Sequence, residues 1–155
     1  MFTRWKKKLF EMTIKSPNGE CVFCDLSQIK TSGILYEDER VVAFRDRRPR
    51  AALHLLVIPK EHIVNTSALN CSHFELVEHM LTVGKRVLQE ECVANQISSK
   101  NLVFGFHQYP FTSVDHLHLH CIAPPFMPFY NRLRYRATWF SNYISIETLL
   151  EQLKS

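Results

Sequence analysis

The stretch Asp115-His116-Leu117-His118-Leu119-His120-Cys121-Ile122-Ala123 constrains this chain more than any other. Histidine and leucine alternate through it, and a period of two marks a β-strand with two unlike faces. The leucines of such a strand point into a core. The histidines line up on the opposite face, about 7 Å apart along the strand. Imidazole changes charge near neutral pH and serves as nucleophile, acid, base or metal ligand. With eight His in 155 residues, an isolated pair would be unsurprising. Three in strict alternation against an apolar face read as a functional site, because ionisable clusters collect at such sites.

The rest of the chain supplies partners for that strand. Residues 34–36, 41–44, 54–58 and 101–106 are short apolar runs bounded by turn signals, and Pro59 stops the third. With 116–122 they make five strands. Ser72 is the expected N-cap of one long helix over 73–94, with Phe74, Val77, Leu81, Gly84 and Leu88 on a stripe facing the sheet. Ser145 is the expected cap of a last helix ending at Leu153. His73 and His79 are six apart, share no helix face, and read as solvated. Arg132, Arg134 and Arg136 alternate with Leu133 and Tyr135, which suggests an extended basic edge. Residues 1–19 read as a basic N-terminal arm, closed by the turn Ser16-Pro17-Asn18-Gly19, and 20–155 as a single domain. Antiparallel strands with a long helix on one face give an α+β layout.

Charge and cysteine content narrow the function classes. The net charge of +4 suits an anionic substrate and is too mild to argue for nucleic acid by itself. No apolar run is long enough to span a membrane. An odd count of five Cys argues against a complete secreted disulfide framework. Cys71, Cys92 and Cys121 read as buried thiols, and the expected compartment is reducing, cytosol or nucleus.

The motif His116-Leu117-His118-Leu119-His120-Cys121-Ile122 resembles that of the histidine triad superfamily of nucleotide hydrolases and transferases. Two upstream stretches are also similar to it. One is His54-Leu55-Leu56-Val57-Ile58-Pro59-Lys60-Glu61-His62, and the other is Ala43-Phe44-Arg45-Asp46. Leu133 to Arg136 with Trp139 and Phe140 resembles the branch of histidine triad nucleotide-binding protein 3. The resemblance implies a five-stranded antiparallel sheet with one long helix and a C-terminal helix, in a homodimer. It implies a nucleoside 5′-monophosphoramidase, adenosine first, that cleaves P–N bonds of purine nucleotidyl amines through a covalent nucleotidyl-histidine. His118 is then the nucleophile, His120 donates to a phosphoryl oxygen, and Ser113 contacts phosphate and leaving group. Asp46 accepts from the ribose hydroxyls and Phe44 lines the base pocket.

Plainer roles stand beside these. Ser113 also fits a loop serine bonding its own backbone, Asp46 a surface partner of Arg45, Arg47 or Arg48, and Phe44 a core aromatic. Arg47 stands where the family has an apolar residue beside the base, so base preference is open. Gly105 stands where the branch has an asparagine, and His107 is the candidate replacement. The rival functions are an aprataxin-like deadenylase of nucleic-acid ends, which the arginines at 45, 47, 48 and 50 keep open, and a binding module with little turnover. Nucleic acid is not the favoured partner.

Cys21-x-x-Cys24 has three readings. A redox dithiol needs a thioredoxin-like context that is not evident here. Two structural thiols is the plain reading. The third is a closed tetrahedral zinc site completed by His54 and His116, an arrangement the family resemblance also implies. In that case His116 is a metal ligand and takes no part in the chemistry.

Overall fold

The computed structural model describes residues 21–31, 33–137 and 142–155. The arm expected over 1–19, with Trp139 and Phe140, lies outside the described residues. The chain runs α1 (Leu26–Lys30), β1 (Ile34–Glu37), β2 (Val41–Arg45), β3 (Ala51–Pro59), α2 (Phe74–Ala94) and β4 (Val103–His107). It continues with β5 (Leu119–Phe126), β6 (Tyr143–Ser145) and α3 (Ile146–Lys154). Every strand pair is antiparallel, in one sheet of order β1-β2-β3-β5-β4-β6. The α+β fold is as expected, with six strands among the described residues instead of five. The added strand, β6, pairs Tyr143 with His107 and Ser145 with Gly105. Three residues are too few to show a period of two, so the sequence does not announce it.

The leucines of the alternating stretch do face a core. Leu117, Leu119 and Cys121 pack with Val41, Ala43, Leu55 and Val57 against Val77, Met80, Val83, Val87 and Leu88 of α2. Residues at these 3–4 spacings form one stripe of the helix. Gly84 lets α2 approach closely, since a Cβ there would stand 2.7 Å from Cys121 Sγ. A second, smaller core lies on the other sheet face, where Val42, Phe44, Leu56 and Ile58 are covered by Ile29 of α1 and by Phe23. The histidine face is therefore not solvated. His116, His118 and His120 are 0%, 7% and 5% exposed.

Several local expectations are corrected. Ser72 does not cap α2: Asn70 caps a 3₁₀ turn, Cys71–His73, that feeds the helix. There the Asn70 side chain accepts from the Ser72 amide, and the His73 ring accepts from the Asn70 amide. Cys71 is exposed, whereas Cys92 and Cys121 are buried. His79 is not simply solvated, since its Nε2 lies 2.7 Å from Asp38 Oδ2. The arginine-rich segment is a 3₁₀ helix, Phe129–Tyr135, and not an extended edge. It is held by the Asn131 side chain, which is 2% exposed and donates to the Met127 carbonyl at 3.0 Å.

Register sets the layout of the site. Phe44 pairs with Leu56, Leu56 with His120, and His120 with Gly105. One rung thus runs across β2, β3, β5 and β4, with His120 set between Leu56 and Gly105.

Candidate active site and cysteine–histidine cluster

β5 starts at Leu119, so His116 and His118 lead into the strand while His120 lies within it. All three belong to the face away from α2. His118 Nδ1 is 2.7 Å from the His116 carbonyl. A carbonyl only accepts, so Nδ1 carries the proton and the lone pair is on Nε2. Burial lowers the His118 pKa, with an opposing pull from that carbonyl and from Asp46.

His120 is oriented by a second chain of bonds. The Arg50 amide donates to His54 Nδ1 at 3.1 Å. His54 must then carry its proton on Nε2, which is 2.9 Å from His120 Nδ1. His120 Nδ1 accepts, so its proton is on Nε2, and that atom is buried without a partner. Burial holds His54 near pKa 3 and His120 well below 6.5, so the relay is neutral. The result is a free lone pair on His118 beside an N–H donor on His120, with ring centroids 5.0 Å apart.

These rings line a cavity of about 330 Å³ with Phe44, Asp46, Arg47, His107 and Ser113. All the nucleotide-contacting candidates named from the sequence therefore meet at one cavity. Phe44 is 4% exposed and packs edge-on to Phe23 at 5.5 Å. The Asp46 carboxylate accepts from the Arg48 amide at 2.8 Å and approaches His54 Nε2 at 3.4 Å. Burial raises its pKa, countered first by that amide and then by His118, Arg50 and Arg48. It forms no ion pair with Arg45, which binds Glu91, or with Arg47, which donates to the Gln28 carbonyl and Thr31. Ser113 is exposed, and its hydroxyl makes no hydrogen bond to another described residue. The His107 ring lies 4.9 Å from His120, its Nε2 buried and unpartnered, and burial pushes its pKa down to about 3.

The cysteine pair lies beside this cavity with a different fourth partner. Cys24 Sγ is 3.2 Å from His62 Nδ1 and 3.5 Å from His116 Nδ1. Cys21 Sγ is 3.4 Å from His116 Nδ1, and the two Nδ1 atoms are 3.2 Å apart. His54 does not belong to this group, because it faces His120 and Asp46; His62 takes the place expected for it. The sequence signal was present, since His62 ends the Pro-Lys-x-His stretch. His116 Nε2 donates to the Pro59 carbonyl at 2.8 Å, which leaves the Nδ1 lone pair facing the sulfurs.

Other residues line the cavity that the sequence does not mark as site candidates. Val22 and Phe23 lie between the cysteines, and the Phe23 ring stands 5.6 Å from His118. Arg50, Phe111, Arg134 and Tyr135 also line the cavity. Tyr135 seals it, its ring 5.5 Å from His54, 4.8 Å from His107 and 5.3 Å from His120. Tyr143 fills the space left by Gly105, where an added Cβ would collide with its hydroxyl.

Residues 20–134 match the family described as scavenger mRNA decapping enzyme C-term binding. The chain is 44% identical over 141 residues to the bifunctional adenosine 5′-phosphosulfate phosphorylase/adenylylsulfatase HINT4 of Arabidopsis thaliana, covering 88% of this chain and 93% of that protein. It is 38% identical over 143 residues to the adenosine 5′-monophosphoramidase HINT3 of Mus musculus, covering 88% and 83%. Among solved structures, a histidine triad protein from Clostridium difficile superposes with a TM-score of 0.60 at 27% identity, over 72% of this chain and 95% of that one.

Proposed function

The chain belongs to the histidine triad superfamily, and from that premise we propose that it is a nucleoside 5′-monophosphoramidase acting through a nucleotidyl-His118 intermediate. The observation that carries this reading is the pair of fixed tautomers. Hydrogen bonds to protein groups set His118 Nε2 as a lone pair and His120 Nε2 as a donor, side by side in one cavity. The Nε2 of His118 attacks phosphorus and a P–N bond forms as the bond to the leaving amine breaks. Splitting one displacement into two is what a nucleophilic imidazole supplies. The His120 Nε2–H donates to a phosphoryl oxygen, where charge builds up in the transition state. Ser113, exposed and with an unengaged hydroxyl in the same cavity, relays a solvent proton: its O–H proton goes to the departing amine nitrogen as its oxygen takes a proton from solvent. Water then cleaves the P–N bond to His118 and releases the nucleoside monophosphate. Asp46 receives the ribose hydroxyls, and the base lies against the apolar end of the cavity that Phe23 and Phe44 form. The test is a rate comparison across an adenosine phosphoramidate, a guanosine phosphoramidate and adenylated DNA. Fastest turnover of a phosphoramidate supports this reading, and fastest turnover of adenylated DNA supports the deadenylase.

The same reading includes one structural zinc ion held by Cys21, Cys24, His62 and His116. A tetrahedral zinc with bonds of about 2.0–2.3 Å sets its ligand atoms about 3.3–3.8 Å apart. The contacts of 3.2–3.5 Å among the two sulfurs and two nitrogens fit that spacing. With four protein ligands the ion would lack an open position, so it would fasten the Cys21–Cys24 loop to the strand approach at His116 and supply no Lewis acid to the substrate.

A further inference from the structure

We propose that the 3₁₀ turn Phe129–Tyr135 is a docking surface for the headgroup layer of an anionic phospholipid bilayer, on which the protein rests without spanning it. The first ground is exposure. Eight large apolar side chains are exposed among the described residues, and four of them, Met127, Phe129, Tyr130 and Leu133, fall within seven positions. These four are between 55% and 73% exposed. Single apolar residues scattered over a surface are ordinary, whereas a contiguous patch marks a face that something covers. None of the four lines the cavity beside the histidines. The rings of Phe129 and Tyr130 pack on each other, with centroids 6.0 Å apart.

The second ground is the way the turn is held. Asn131 and Tyr135 are buried, and the residues between and before them face outward. The Asn131 side chain donates to the Met127 carbonyl and its amide to the Pro128 carbonyl, both at 3.0 Å. The Met127 amide donates to the Arg50 carbonyl at 2.8 Å. The patch is thus presented by anchored backbone, so docking costs little ordering of the chain.

The third ground is charge, and it selects the occupant. From His116 through Ile146 the sequence has no acidic residue, while Arg132, Arg134 and Arg136 alternate through the patch and just past it. Residues 1–10 repeat this mixture, with Phe2, Trp5, Leu9 and Phe10 among four cations and again no acidic residue. A second copy docked face to face about a twofold axis would set arginine against arginine. A single-stranded nucleic acid answers the arginines and stacks on Phe129 and Tyr130, but it leaves Met127 and Leu133 without a partner. An anionic bilayer takes both halves of the surface. Methionine, phenylalanine and leucine enter the acyl boundary, the tyrosine hydroxyl stays at headgroup level, and the guanidiniums meet lipid phosphates. One weak signal gives marginal adsorption and two give stable attachment, and the turn and the basic, apolar N-terminal sequence are two such signals.

The test is co-sedimentation of the full chain with vesicles of phosphatidylcholine alone and of phosphatidylcholine mixed with phosphatidylserine. Wild type should bind the mixed vesicles and not the neutral ones, and added salt should weaken the binding. Phe129→Ser combined with Leu133→Ser should lower affinity for mixed vesicles by at least about tenfold. Arg132→Gln should lower it by about fivefold, the effect of one cation at an anionic surface. Phe129→Leu combined with Leu133→Ile keeps the apolar area and should bind as wild type does. All these side chains are exposed, so every variant should keep the wild-type Tm. Failure of wild type to bind mixed vesicles overturns the inference, as does undiminished binding by the double serine variant or lost binding in the Leu/Ile variant. A single-stranded oligonucleotide held more tightly than the vesicles also overturns it, as does a dimer in sedimentation velocity that the double serine variant dissolves.

Discussion

At the scale of single residues, the assignments rest on which ring nitrogen carries a proton, and each is forced by a neighbour that only donates or only accepts. His54 matters here because its backbone-anchored ring fixes the tautomer of His120. It lies beside His120 and Asp46 and not with Cys21 and Cys24, where its place in the sequence suggested a zinc ligand; on the proposed mechanism it positions His120. His54→Ala should therefore lower kcat by at least about tenfold with a smaller change in KM, because a donor used in the transition state loses its orientation. His54→Gln, which still offers an N–H, should recover part of the loss. Equal loss in both variants, or a loss confined to KM, would show that His54 serves only packing. Asp46 gives a second residue-scale test. Its carboxylate is half-buried and bonded to the Arg48 amide instead of to a surface arginine. Asp46→Ala should weaken ribonucleotide binding by roughly 1.5–3 kcal/mol per lost charged hydrogen bond and spare 2′,3′-dideoxy analogues. Calorimetry on both ligands decides it, and equal losses would return Asp46 to a purely structural role.

At the scale of elements, the Cys21–Cys24 loop joins two functions that look separate in the sequence. Its cysteines face His62 and His116, and its Phe23 faces Phe44 and His118. Elemental analysis of protein never exposed to chelator or nickel resin should give about one zinc per chain. Cys21→Ser should lose that zinc and lower Tm by at least about 5 °C, since metal-binding energy is folding energy. A metal-free protein as stable as wild type would leave the cysteines as plain thiols. What the sequence shows at this scale follows from period. The alternating histidine stretch, the long helix and the apolar run of β3 all repeat long enough to be read. β6 is three residues, and the turn from Phe129 to Tyr135 is set by one buried side chain, Asn131, so neither carries a period. Tyr135 and Arg134 reach the cavity only through that turn, so their alternating pattern suggests an extended basic edge and does not place them at the site. His62 is legible as a motif residue, but order along the chain does not reveal which end of β3 meets the cysteines, so sequence alone does not separate it from His54 as their partner.

At the scale of the whole molecule, the sheet carries a cavity lined by Phe23 and Phe44 as well as by Arg50 and Arg134, and it buries its histidines as neutral rings. That burial links stability to pH. His54 and His107 titrate near 3 in the fold against an ordinary 6.5, so between those values the unfolded chain binds more protons. Stability should be full above about 6.5 and fall as pH drops toward 3, each histidine adding up to about 1.4 kcal/mol per pH unit. Urea midpoints across that range should show a shallower slope for His107→Gln than for wild type, and an unchanged slope would show that His107 is solvated. The covalent intermediate at His118 is the central claim, and acid-quenched mass spectrometry of wild type mixed with an adenosine phosphoramidate tests it most directly. The account predicts a nucleotidyl adduct mapping to His118, absent in His118→Gly, which should bind nucleotide yet show no turnover. An adduct on another residue, or an active His118→Gly enzyme, would contradict it.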